Sequence, residues 1–91
     1  MRDLKELRVE IDEIDKAMQS LFERRMSVAS EIADYKKANN LPILDSSREK
    51  EKINAMRASA SDEFMADGIA RLFETLMAIS RDYQKERNKN D

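Results

Sequence analysis

The chain has no cysteine, no histidine and no tryptophan, and only one glycine and one proline. Each absence excludes a class of chemistry. Without cysteine there is no disulfide framework, no thiolate nucleophile and no cysteine-based zinc site. Without histidine there is no imidazole base, no Ser-His-Asp triad and no usual transition-metal ligand. A single glycine rules out a glycine-rich phosphate cradle. No metal or cofactor is expected, and any chemistry must run on Arg, Lys, Asp, Glu and amides. No apolar run approaches the roughly 20 residues of a membrane span. The N-terminal stretch Met1-Arg2-Asp3-Leu4-Lys5-Glu6 mixes both charges with no apolar region behind it, so no signal peptide is expected and the cytoplasm is the default location. The balance of 17 basic and 19 acidic residues, net −2, argues against a general nucleic-acid binder.

What the chain does have is charge, 40% of its residues, and helical periodicity. Its 91 residues read as a single domain, 1–91. Leu4, Leu7, Ile11, Ile14, Met18 and Leu21 form a seam at alternating spacings of 3 and 4, and the register continues through Arg25, Val28, Ile32 and Tyr35. A second stripe, Phe22, Met26, Ala29 and Ala33, widens the face expected to be buried. The pattern predicts one helix over about 4–38, stopped by Asn39-Asn40 and Pro42. A second, short helix is expected over about 47–58, with Asp45 or Ser46 as cap and Glu49 closing a capping box. A third, over about 61–88, carries Met65, Ile69, Leu72, Leu76, Ile79 and Tyr83 on one face, and the charged end from Lys85 to Asp91 reads as fraying. The fold class is therefore all-α: three helices, long, short and long. A 35-residue helix spans about 52 Å, whereas a compact monomer of this size measures only about 30 Å across. The first helix overhangs with its seam bare, which predicts an intertwined homodimer.

Polar groups on apolar faces mark the candidate site. Arg25 stands in the seam between Leu21 and Val28, so its guanidinium needs a carboxylate, from a neighbouring helix or from a ligand. Lys36 lies on the same side of the helix about 16 Å further on, either a solvated surface lysine or a second cation converging on a small anion. In the third helix the stripe Phe73, Met77, Ser80, Gln84 turns polar, as the wet end of an amphipathic helix or as part of a site. Asp45, Arg48 and Glu49 cluster at the start of the second helix, where capping alone would explain them. Arg8 lies about 25 Å along the helix from Arg25, too far for both to hold one small ligand unless Arg8 comes from another protomer.

Taken together, Leu7-Arg8, Ile11-Asp12, Ile14-Asp15, Arg25, Lys36, Asp45, Arg48-Glu49, Ser80 and Gln84, with Leu41-Pro42-Ile43-Leu44-Asp45 leading into the second helix, resemble the all-helical chorismate mutases (the AroQ class). The resemblance covers residues 4–88 and lies in the joint spacing rather than in any one motif. It implies an intertwined dimer that converts chorismate to prephenate, the first committed step towards Phe and Tyr, by a [3,3] pericyclic rearrangement without cofactor. By the same resemblance, Arg25 and Arg48 of one protomer and Arg8 of the other bind the substrate carboxylates. Lys36 and Gln84 donate to the ether oxygen, Asp45 and Glu49 engage the ring hydroxyl, Ser80 assists at a carboxylate, and Ile32 and Met77 form apolar walls. Isochorismate-pyruvate lyases share this architecture, but the Asp45-x-x-Arg48-Glu49 set and Gln84 look more like a mutase. A non-catalytic helical dimerisation module is the reading from a different class.

Overall fold

The structure, a computed structural model, describes residues 1–89. It consists of three helices, α1 (Leu4–Ala38), α2 (Ser46–Ala58) and α3 (Glu63–Lys89), with no strand among the described residues. At the start of α1, the Asp3 carboxylate accepts a hydrogen bond from the Glu6 N–H at 2.8 Å. The helix then runs unbroken for 35 residues, because nothing in it is Gly or Pro. It ends where the Asn39 side chain donates to the Tyr35 carbonyl at 2.9 Å and Asn40 takes a left-handed φ of 56°, a conformation that asparagine tolerates.

Two helix starts differ from expectation. Asp45, one of the two caps expected, caps α2, accepting from the Arg48 N–H at 3.0 Å, so the helix starts at Ser46 rather than 47. The Ser46–Glu49 capping box does not form, because the helix begins one residue earlier and the Glu49 N–H already bonds the Asp45 carbonyl at 3.1 Å, while the Asp45 carboxylate suits the helix dipole. Glu49 turns to α3 instead. The start of α3 falls at Glu63 rather than 61, because the Asp62 carboxylate accepts from the Met65 N–H at 2.8 Å. At the other end the charged segment expected to fray from Lys85 is helical as far as Lys89, and Arg87 reaches Asp34 of α1 at 3.5 Å in a largely exposed pair. The rest of that expectation, residues 90 and 91, lies outside the described residues.

The central element is α3, with α1 and α2 each packed on it and not on one another. Arg25 meets Phe73 and Asp34 meets Arg87, so α1 runs parallel to α3. Glu49 meets Arg81 and Arg57 meets Asp67, so α2 runs antiparallel. The core is made of small and flexible side chains: Met26, Ala29 and Ala33 from α1, Ala66, Ala70 and Met77 from α3. From α2 no residue is fully buried.

The leading seam of α1 is not in this core. Leu4 and Leu21 are each 60% exposed, and Leu7, Ile11, Ile14 and Met18 between them are exposed too. The buried face is the second stripe, Met26-Ala29-Ala33, because α3 reaches only the later half of α1 and docks where alanines allow close approach. The molecule measures 56 × 28 × 14 Å, with a radius of gyration of 16.6 Å where a compact chain of this length gives about 12 Å. It is a single layer of helices with one apolar face bare. Among the described residues no helix is long and apolar enough to cross a membrane.

Ala33 has no solvent exposure at all. Ala33→Leu therefore overpacks the α1–α3 contact and should cost about 1–3 kcal/mol, read as a lower urea midpoint at fixed protein concentration.

Candidate active site

Four polar links set out the site. The first joins α1 to the connection before α2: the Lys36 ammonium, half-buried, donates to the Ile43 carbonyl at 2.7 Å. Lys36 is thus tied to the chain rather than freely solvated. An ammonium has three donors and this bond uses one. The second link is the Asp45 cap, which fixes the first turn of α2 and with it Arg48 and Glu49. The third is the pair between Arg81 Nη1 and Glu49 Oε1 at 2.5 Å, which joins that turn to α3. In the fourth, Gln84 Nε2 donates to Ser80 Oγ at 3.2 Å, one turn apart on α3.

Ser80 and Gln84 are not the wet end of a helix. Both are buried, Gln84 to 6% exposure, and the Gln84 Oε1 has no hydrogen-bond partner. Turning the carboxamide over exchanges its oxygen and nitrogen: Ser80 then donates to Oε1, and Nε2 becomes the free group. In either orientation one polar atom of a buried amide is left for a further partner, and buried polar atoms are seldom left so. Met77, one turn before Ser80, is buried beside them.

Arg25 is half-buried with no carboxylate of its own chain among the described residues. Of the two carboxylate sources considered, the inter-helix ion pair is not formed. The guanidinium instead stands over the Phe73 ring, 6.0 Å from its centre, a cation–π contact. It also lines an open groove of about 570 Å³ between α1 and α3, whose walls include Leu21, Phe22, Leu72 and Ile79. Ile32 is 44% exposed on the bare face, a wall only for something laid against it. The Arg48 side chain is exposed. Arg8 is exposed near the start of α1, on the half that α3 does not reach, and the single chain does not bring it to the other candidates.

Arg81 is a residue that sequence reasoning missed. It lies 32 positions from Glu49, and no local pattern links residues so far apart. Its place between Ser80 and Gln84 was the one available sign. The arrangement as a whole has cations, an amide and carboxylates held at fixed points, with no activated nucleophile. It is suited to holding and polarising a small anion rather than to covalent catalysis.

Comparison with known proteins shows the family of the chain. The profile of the chorismate mutase type II family matches residues 7–85. A chorismate mutase of Methanocaldococcus jannaschii is 32% identical over 93 aligned residues, covering 96% of this chain and 94% of that protein. A T-protein of Haemophilus influenzae is 37% identical over 60 residues, which is 66% of this chain but 16% of that longer protein. The match spans all three helices and every candidate site position, and the chain belongs to the chorismate mutase type II family.

Proposed function

We propose that this chain converts chorismate to prephenate, as an intertwined homodimer in the cytoplasm with two shared active sites. Family membership supports the activity. The observation that carries the site assignment is Arg25, a half-buried guanidinium with no carboxylate of its own chain, on the wall of an apolar groove. A dicarboxylate substrate supplies the missing partner. The dimer is supported by the 56 Å length of the molecule and by its bare seam from Leu4 to Leu21. It is also supported by Arg8, which lies at the far end of the same helix and reaches a site only in a second protomer.

In this reading the enzyme contributes shape and fixed charge. The reaction breaks the carbon–oxygen bond of the enolpyruvyl ether and forms a carbon–carbon bond within the same molecule, so no atom comes from the protein. Arg25 and Arg48, with Arg8 of the partner subunit, hold the two carboxylates in the chair-like conformer that brings the reacting carbons together. Electron density builds on the ether oxygen as its bond lengthens. Lys36, with donors free beyond its bond to the Ile43 carbonyl, and the Gln84 amide nitrogen, once the amide is turned away from Ser80, stabilise that charge. Glu49 and Asp45 accept from the ring hydroxyl, Ser80 assists at a carboxylate, and Ile32 and Met77 close the apolar sides.

The decisive assay follows loss of chorismate absorbance and identifies the product. Prephenate without pyruvate is expected; release of pyruvate would indicate lyase chemistry on the same fold, and no turnover would contradict the proposal. Lys36→Ala should lower kcat by about a hundredfold or more, the usual scale for losing one donor to transition-state charge; an unchanged kcat would remove Lys36 from the ether oxygen. Gln84→Glu gives the sign of a pH dependence. A neutral amide donates at any pH, whereas a carboxyl donates only when protonated. The variant's kcat should therefore rise as pH falls, and a profile as flat as that of the unsubstituted enzyme would show that position 84 does not donate to the ether oxygen.

A further inference from the structure

α2 buries no residue fully, although Ile53 and Met56 are half-buried. Two arginines, one near each end, link it to α3 as well. Near the C-terminal end, Arg57 bonds Asp67 at 2.7 Å and reaches the Ala66 carbonyl at 3.5 Å. Near the N-terminal end, Arg81 of α3 holds Glu49 at 2.5 Å, and both side chains are about three-quarters buried. The two clamps differ in burial, since the Arg57–Asp67 pair is largely exposed, and in what they stand beside. Arg57 is remote from every candidate site residue, whereas Arg81 lies between Ser80 and Gln84 and holds a carboxylate assigned to the substrate.

We infer that Arg81 is a positioning residue that aims Glu49, and with it the first turn of α2, at the bound substrate and thereby sets substrate affinity. A carboxylate offers about four lone-pair sites. Arg81 occupies one, on Oε1, and leaves Oε2 to accept from a substrate hydroxyl. The inference rests on the assignment of Glu49 to the ring hydroxyl. That hydroxyl is present in both ground and transition states, so loosening its partner weakens both alike and moves KM rather than kcat.

The test measures kcat, KM and thermal midpoint for Arg81→Met, Arg81→Lys and Arg57→Met. Arg81→Met should raise KM about tenfold with kcat within about twofold, while Arg81→Lys recovers part of the loss through a single charged donor. Arg57→Met, which breaks a largely exposed pair, should lower the midpoint only slightly and leave KM unchanged. In a Glu49→Gln background, Arg81→Met should add little further to KM. A normal KM in Arg81→Met, an equal rise in Arg57→Met, or effects of Glu49→Gln and Arg81→Met that simply multiply would overturn the inference, showing that α2 is held for stability alone. If Arg81→Met does not fold, Arg81→Lys decides: KM equal to that of the unsubstituted enzyme counts against the role. Chorismate turnover by the unsubstituted enzyme separates this failure from that of the functional reading, since a chain that turns over no chorismate loses both.

Discussion

A helix of 35 residues in a chain of 91 has more apolar surface than the chain can cover. Everything else in the molecule follows from that mismatch. α3 is 27 residues long and packs on the later half of α1, so the seam from Leu4 to Leu21 is left in solvent. Burying a Leu, Ile or Met side chain is worth about 1.5–3 kcal/mol, and six such side chains left bare amount to a strong drive to associate. In the proposed dimer that same association carries Arg8 to the partner's site. Assembly and substrate binding then have one cause, the excess length of α1.

The chemistry shares this economy of means. A chain without histidine or cysteine cannot readily make a strong nucleophile or a neutral-pH base, and a concerted rearrangement needs neither. It needs charges that stay where they are put. The fold achieves this with three short local links, Lys36 to a backbone carbonyl, Asp45 to the first turn of its own helix and Gln84 to Ser80, and one link between helices, Glu49 to Arg81. Each holds a polar group while leaving it bonding capacity towards a ligand. Arg25 is the exception, held by the face of Phe73 rather than by a carboxylate, and so left with its charge uncompensated.

Much of this could be read in the sequence, for physical reasons that also mark the limits. Without Gly or Pro to break it, an apolar period of 3 and 4 predicts a long first helix, and Arg25 showed itself because a guanidinium in an apolar seam is out of place. Ser80 and Gln84 stood out similarly, although only the packing of α3 shows that they are buried. Which of two stripes on α1 faces α3 was not legible. The overhang leaves the leading seam bare as expected, but periodicity reports an apolar face and not which neighbour it meets, and Val28, Ile32 and Tyr35 further along that seam are bare as well. The Asp45 cap was one of two open choices, separated by a single residue. The Glu49–Arg81 and Arg57–Asp67 pairs were beyond reach, because they depend on how two helices cross and no spacing along the chain encodes that.

The central claim is that each site is built from two chains, and mixing two damaged chains tests it most directly. Arg8→Ala and Arg48→Ala each disable both sites of their own homodimer. In a mixed dimer, one site collects both defects and the other collects neither. Unfolding and refolding the two variants together in equal amounts should restore about one quarter of the activity of the unsubstituted enzyme, the statistical share of intact sites in a two-fold dimer. Activity no higher than that of either variant alone would contradict the account, because it would place Arg8 and Arg48 in the same site from the same chain.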